Sequence, residues 1–196
     1  MATPTNTNTS NTTVTGTDAA DTIAIGADST NIEAGGGANT IAAGSGDNVI
    51  TAGSAADTIA VGDGSNNIAA GDGANTITAG SGNNNVSAGS GADTITVGNG
   101  VNSIEAGNGA DIISAGSGTN TITVSGGINT ITAGSGNNTI TAGSGIDTIT
   151  VGNGNNVIDG GSGGADTITA GSGSNIITSG SGIDTITAMS GIDSIN

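Results

Sequence analysis

The sequence predicts an all-β protein, a parallel two-sheeted β-solenoid of about ten 18-residue coils. Three observations predict this fold. Isoleucine recurs every nine residues along almost the whole chain, which indicates a repeat architecture. Each nine-residue unit combines a glycine-rich turn with a short β-branched strand. Glycine and β-branched residues recur throughout without a 3.6-residue period, and this composition excludes helix.

The isoleucine row defines 20 units over Gly16–Asn196, of which 19 carry Ile and one, at Val86, carries Val. One extra residue in Gly160–Thr169 delays the row by a single position, and the period of nine then resumes. Residues 1–15 form a Thr/Asn-rich N-terminal arm, although Val14 lies in phase with the row. The sequence therefore predicts two regions, the arm 1–15 and the solenoid 16–196.

The nine positions of a unit divide into a turn and a strand. The representative unit is Ala-Gly-Ser-Gly-x-Asn/Asp-Thr-Ile-Thr, as in Ala133–Thr141, numbered here as positions one to nine. Glycine accepts a positive φ and Asn or Asp bonds its own backbone, so positions two to six favour a turn. Thr-Ile-Thr-Ala/Val favours a strand that points Ile and Ala/Val to one side and Thr to the other. So short a strand cannot pack alone, so two units are expected to form one coil and successive coils to stack.

The composition excludes most kinds of chemistry. The chain has 16 acidic residues and no Lys, Arg, His, Cys, Phe, Tyr or Trp. It therefore offers no triad, Schiff base, thiolate or imidazole metal site, and an enzyme is not expected. Without basic residues or aromatic rings, nucleic acid and anionic lipid are not expected partners. The net charge of -16 has no internal countercharge, so neutralising cations have to come from solution.

No segment has the pattern of a cleaved export signal or a membrane span. The first ten residues lack a basic region and an apolar region, so a Sec signal peptide is not predicted. No apolar run approaches the ~18 residues that a membrane helix requires, so membrane insertion is not expected. The sequence predicts a chain that is soluble, or secreted by a route that needs no N-terminal signal.

The unit resembles the nonapeptide of the RTX family, Gly-Gly-x-Gly-x-Asp-x-U-x, a β-helix repeat that binds Ca²⁺. The unit Ala142–Thr150 matches it at Gly143, Gly145, Asp147 and Ile149. The resemblance implies a parallel β-roll, calcium bound by the sixth-position Asp with turn carbonyls, and type I secretion to the extracellular space or cell surface. Two features depart from the family pattern: position one is usually Ala or Val, and position six is often Asn.

The sixth position distinguishes alternate units, which lie on opposite edges of the predicted solenoid. Asp occupies it in seven of ten odd units, whereas eight of ten even units carry Asn. We therefore expect calcium on the odd edge and a ladder of stacked Asn amides on the even edge. The alternative is that both edges are turns whose Asn and Asp only satisfy the backbone. The candidate calcium ligands are Asp21, Asp57, Asp93, Asp111, Asp147, Asp166, Asp184 and Asp193.

The outward threonines differ between the two sheets as well. Six odd units present Thr-x-Thr pairs, such as Thr94/Thr96, whereas even units present mixed residues such as Ser103/Glu105. One interpretation is simply that Thr suits exposed strand positions. The others are a face that packs against another solenoid, giving lateral bundling, or an ice-binding face. The Thr lattice resembles the ice-binding surfaces of β-solenoid antifreeze proteins.

The repeat runs to Ile195 and Asn196 without a recognisable cap, which leaves strand edges that invite another chain. The function expected first is therefore a secreted structural protein that assembles head-to-tail, with calcium, into surface or biofilm-matrix filaments. An ice-binding protein or adhesin segment using the odd Thr face is the alternative. A calcium-binding spacer of a larger RTX-like protein is the second alternative.

Overall fold

The structure is a computed structural model that describes residues 12–196. The described chain contains only strands, turns and irregular segments, and winds into a two-sheeted parallel β-solenoid. The predicted fold class is confirmed. No described helix has the length and apolar character of a membrane span. The first eleven residues of the predicted arm lie outside the described part, and the last four form a strand, β1.

The odd units supply a ten-stranded sheet, called here the Thr sheet, in which each strand pairs in parallel with strands two further along. Its strands are β2 (Thr22–Ile25), β4 (Thr40–Ala43), β6 (Thr58–Val61), β8 (Thr76–Ala79), β10 (Thr94–Val97), β12 (Ile112–Ala115), β14 (Thr130–Ala133), β16 (Thr148–Val151), β18 (Thr167–Ala170) and β20 (Thr185–Ala188).

The even units and residues 12–15 supply an eleven-stranded sheet, called here the mixed sheet. Its strands are β1 (Thr12–Thr15), β3 (Thr30–Glu33), β5 (Val49–Thr51), β7 (Asn67–Ala69), β9 (Asn85–Ser87), β11 (Ser103–Asn108), β13 (Thr121–Gly126), β15 (Thr139–Thr141), β17 (Val157–Asp159), β19 (Ile176–Thr178) and β21 (Ser194–Ile195).

The register follows the sequence period. Position-eight residues pair with one another 18 residues apart, as Ile95 does with Ile77 and Ile113. Across the extra residue the offset becomes 19, since Ile149 pairs with Ile168. The turn absorbs this residue at Gly163, where an added Cβ would meet no atom within 4 Å. The insertion therefore bulges outward and leaves the ladders on both sides intact.

The core is the narrow space between the two sheets. Isoleucines from Ile23 to Ile177, with Val86 in the same row, are buried, and Ala or Val two positions later forms a second buried row. The outward positions between them are mostly exposed, which gives the alternating burial predicted from the strand pattern. Burial falls off at the last coil, where Ile186 is half-buried and Ile195 is exposed.

Turns stack as closely as strands do, and this favours glycine at position four, which is replaced in three units, by Ala19, Asp28 and Ala55. Gly136 has a φ of +137°, and a Cβ there would overlap the carbonyl oxygen of Gly118 in the previous coil. An L side chain fits neither that conformation nor that space. Glycine at a turn such as that of Gly136 is thus a packing requirement of the coil stack.

Candidate metal sites along one edge

The position-six side chains line both edges of the solenoid from within. Strand alternation runs back into the turn, so position six points inward as position eight does. Asp57 is only 1% exposed, and the Asn and Asp residues of the other interior turns are equally buried. We call the edge whose turns lead into the Thr sheet the Asp edge, and the edge whose turns lead into the mixed sheet the Asn edge.

One side-chain oxygen at position six joins two coils in the same way on both edges, except at Asp21 in the first coil, whose Oδ2 accepts from the backbone N–H and the hydroxyl of Thr17 in its own turn. On the Asp edge the backbone N–H of Asn39 donates to Oδ1 of Asp57 at 2.7 Å. On the Asn edge the backbone N–H of Asn48 donates to Oδ1 of Asn66 at 3.1 Å. The same bond recurs at an interval of 18 or 19 residues along both columns. Asn and Asp at position six therefore accept the same backbone hydrogen bond through Oδ1. They differ in the second terminal atom of the side chain, which is a nitrogen in Asn and an oxygen in Asp.

On the Asn edge the second atom is an amide nitrogen with several acceptors. Nδ2 of Asn48 lies 3.1 Å from the carbonyl oxygen of Gly44, 2.9 Å from that of Gly46, and 2.9 Å from Oδ1 of Asn66. These carbonyls belong to positions two and four of the same turn. The amide-to-amide bond recurs at Asn66, Asn84, Asn102, Asn120, Asn138 and Asn156. The predicted ladder of Asn amides is confirmed.

On the Asp edge the second atom is a carboxylate oxygen, and no N–H or O–H group donates a hydrogen bond to it. In six of the seven Asp turns on this edge, all except that of Asp184, one such oxygen is buried without a hydrogen-bond partner, and leaving it so is costly. The unpartnered atoms are Oδ1 of Asp21 and Oδ2 of Asp57, Asp93, Asp111, Asp147 and Asp166. A carboxylate cannot donate to turn carbonyls as the Asn amide does, so these turns collect oxygen atoms without a positive partner.

Burial disfavours the charged form of these carboxylates. It raises the pKa of Asp93 to about 6, although the backbone N–H of Asn75 lowers it and the charge of Asp111 raises it further. Burial is also the largest cause of the raised pKa of Asp57, Asp111, Asp147 and Asp166. A cation beside the unpartnered oxygens would favour the charged form.

The comparison with known families decides how this edge is interpreted. The family model described as RTX calcium-binding nonapeptide repeat matches residues 25–59, 33–68, 61–95, 96–131, 132–164 and 160–195. The chain belongs to the RTX family. Searches of curated proteins and of solved structures gave no match. RTX repeats bind calcium, so the expected cofactor is confirmed, and RTX β-roll domains are typically structural rather than catalytic and typically secreted by type I systems.

The RTX turns of the Asp edge fit calcium. Ca²⁺ takes six to eight hard oxygen ligands. No three acidic side chains converge within residues 12–196, so carboxylates alone do not build a site there. Turn carbonyls are within reach: at Asn75, on this same edge, Nδ2 lies 3.1 Å from the oxygen of Gly71 and 2.9 Å from that of Gly73. In an Asp turn the second carboxylate oxygen and these two carbonyls would hold the ion.

The RTX chain does not place all eight candidate ligands alike. Asp184 and Asp193 lie in the last coil and are half-buried. Asp193 is on the Asn edge, where its Oδ1 accepts both the backbone N–H and Nδ2 of Asn175 at 2.9 Å. The position-six residues of the odd units form a column along the Asp edge, called here the Asp column. It is interrupted at three turns, by Asn39, Asn75 and Asn129. Calcium ligation by each of the eight Asp residues stays a prediction.

Sequence reasoning did not identify a second set of links on the outer side of the turns. Oδ1 of the exposed Asp63 accepts the backbone N–H of Ser81 at 2.7 Å, and Oδ1 of Asp47 accepts that of Ser65 at 2.7 Å. Asn137 and Asn153 make the same kind of bond to the following coil. The signal available in the sequence was the recurrence of Asp or Asn at outer turn positions.

Proposed function

We propose that this chain is a secreted structural protein whose RTX coils take up calcium along the Asp edge and whose copies stack head-to-tail into extracellular filaments. The coarser part of this function, a calcium-binding repeat domain, follows from the family. The filament, the extracellular role and type I export of this chain are the proposal.

The row of buried, unpartnered carboxylate oxygens on the Asp edge supports the calcium-dependent part. The chain has no Lys, Arg or His that could neutralise them, and its net charge is -16. A ligand that binds the folded chain and not the unfolded one stabilises the fold. Calcium concentrations outside cells therefore favour the folded rod, and chelation favours the unfolded chain.

The last described rung supports stacking. β20 pairs only with β18, and β21 only with β19, among residues 12–196. On their other sides, β20 and β21 pair with no strand among residues 12–196, and the N–H and C=O groups there are of the kind that every interior strand uses to bind its neighbour. Ile186 and Ile195 are the last members of the core row, and their side chains are not fully buried. Stacking the β1 and β2 end of another copy on this rung is a heterologous contact, which repeats without closing.

Electron microscopy of the purified 196-residue chain with calcium and with EDTA tests the proposal. Calcium is expected to give thin unbranched filaments whose length grows with protein concentration. EDTA is expected to remove them, and calcium added back should restore them. Single short rods at high protein concentration with calcium present would contradict self-assembly and would leave the calcium-binding spacer of a larger RTX protein as the better account.

The outer face of the Thr sheet favours a second candidate, ice binding. The outward residues of β8, β10, β14, β16, β18 and β20 are all Thr pairs, and the coils repeat at about 4.8 Å. The measurement is thermal hysteresis of the wild-type chain and of Thr96→Lys, which places a charge in the middle of the lattice. Hysteresis that is present in the wild type and lost in Thr96→Lys supports the candidate. Absence of hysteresis in the wild type refutes it.

A further inference from the structure

The two edges hold the same turn closed by different means. On the Asn edge an amide nitrogen donates to the carbonyls of positions two and four, as Asn138 does to Gly134 at 3.0 Å and Gly136 at 3.1 Å. On the Asp edge the second oxygen of Asp111 is buried and receives no hydrogen bond. The first oxygen makes the same inter-coil bond in both cases. The difference therefore lies in a single atom per turn.

We propose that the side-chain amide of Asn substitutes for calcium in these turns, so that this chain takes up calcium only where position six is Asp. This inference rests on the proposed calcium binding and adds the rule that assigns it turn by turn. The Asn edge is then closed without metal over its whole length from Asn48 to Asn175. The Asp edge depends on metal.

Asn75, which lies within the Asp column, shows that the amide can close the turn on the Asp edge as well. Nδ2 of Asn75 reaches the carbonyls of its own turn and also lies 3.1 Å from the carbonyl oxygen of Ala88 in the next coil. Nδ2 of Asn129 donates to Oδ1 of Asp147 at 2.9 Å. Neither residue leaves a buried polar atom without a partner. The amide of Asn75 therefore satisfies the carbonyls of its turn, whereas the amide of Asn39 donates to the carbonyl oxygen of Ala52 instead.

The rule divides the Asp edge into separate calcium groups. Asn39, Asn75 and Asn129 stand between them as metal-free turns. Asp21 and Asp57 are then isolated sites, Asp93 and Asp111 form a pair of adjacent turns, and the run from Asp147 to Asp184 is the longest. Calcium uptake is expected to be strongest in the pair and in this run, since each ion there also offsets the repulsion between neighbouring carboxylates.

Reciprocal substitutions in the same two coils test the rule. The double variant Asp93→Asn/Asp111→Asn changes the Asp edge, and Asn102→Asp/Asn120→Asp changes the Asn edge opposite. The control, Asp63→Asn/Asp72→Asn, removes the same two charges from exposed turn positions that keep Oδ1 as acceptor. Isothermal titration calorimetry with calcium chloride gives the number of ions per chain, and thermal melting in EDTA gives the stability without metal.

We expect Asp93→Asn/Asp111→Asn to bind two fewer calcium ions than the wild type and to melt roughly 4–8 °C higher in EDTA. Asn102→Asp/Asn120→Asp is expected to bind two more ions and to lose its strand signal in EDTA. The control should keep the wild-type number of ions and gain less in EDTA than Asp93→Asn/Asp111→Asn does.

The experiment distinguishes failure of the proposed calcium binding from failure of the substitution rule. A wild-type chain that takes up no calcium contradicts the proposed function itself. A wild-type chain that takes up calcium, with an unchanged number of ions in Asp93→Asn/Asp111→Asn, overturns the substitution rule alone. A lower melting temperature of that variant than of the wild type in EDTA overturns it as well, because the amide would then fail to close the turn.

Discussion

The backbone N–H of Asn39 donates a 2.7 Å hydrogen bond to Oδ1 of Asp57, one coil further along the chain. Oδ2 of the same carboxylate is buried without a partner. The side chain thus uses one oxygen to join two coils and leaves the other buried and unpartnered. This division links the stability of the solenoid to whatever occupies the space beside Oδ2.

Removal of calcium is expected to lower the melting temperature of the chain at neutral pH. The buried carboxylates of the Asp edge then remain charged and unpartnered, and no basic side chain offsets the net charge of -16. Thermal melting followed by far-UV circular dichroism should show the strand signal lost at a lower temperature in EDTA, and calcium should raise that temperature again, whereas sodium chloride of equal ionic strength should not raise it as far. Equal melting temperatures in calcium and in EDTA contradict this expectation.

Without calcium, residual folded structure is expected to be more stable at acid than at neutral pH. Burial raises the folded-state pKa of Asp93 to about 6, above the 3.8 of an ordinary Asp, and that of Asp57 and Asp147 is raised as well. The protonated form therefore favours the folded chain. This stabilisation is complete below about pH 4 and is lost as pH rises through about 6.

Melting in EDTA from about pH 4 to pH 7.5 measures this dependence, which should become shallower in Asp93→Asn. With saturating calcium the sign reverses, because protons compete with the metal for the same oxygens. A melting temperature in EDTA that rises with pH over this range would be incompatible with buried carboxylates.

The core row is expected to carry much of the stability, and β12 offers a matched pair to test it. Ile113 is 1% exposed between the sheets, whereas its neighbour Ile112 is 55% exposed on the outer face. Ile113→Ala leaves a cavity and should lower the free energy of unfolding by about 2–5 kcal/mol. Ile112→Ala should change it by less than about 1 kcal/mol. Urea unfolding in calcium compares the two, and equal losses would contradict the predicted sidedness.

The period of nine was sufficient to predict the fold, because each strand binds a copy of itself 18 residues away. The register, the two buried rows and the Asn ladder follow from that repetition. The sequence also located the extra residue within Gly160–Thr169, although it did not show that the turn absorbs it outward at Gly163.

The site was predicted less completely. The sequence placed Asp57 on the correct kind of turn but did not show that one of its oxygens is buried without a partner, because that depends on the neighbouring coil. Asp193 was chosen for its residue type although the period places it in an even unit, and its contacts with Asn175 agree with that position on the Asn edge. The outer bonds of Asp63 and Asp47 depend on turn stacking, which residue type alone does not specify.

Head-to-tail assembly is expected to depend on the apolar surface of the last rung. Ile195, 51% exposed, belongs to the core row, so its side chain lies where another copy would stack its own row. Ile195→Lys places a charge in that contact, and because a buried unpaired charge is costly, filaments should shorten or disappear. Ile192→Lys is the matched control, since Ile192 is 86% exposed in the turn of the same rung and lies outside the row.

Electron microscopy and sedimentation in calcium compare the two variants with the wild type, and circular dichroism verifies that each is folded. Thr150→Lys, on the outer face of the Thr sheet, separates lateral from axial contacts, because it should disperse bundles and leave single filaments intact. Assembly of Ile195→Lys at the wild-type level would exclude the last rung as the contact surface. Equal loss in Ile192→Lys would instead attribute the effect to added charge, since both variants change the net charge by the same amount.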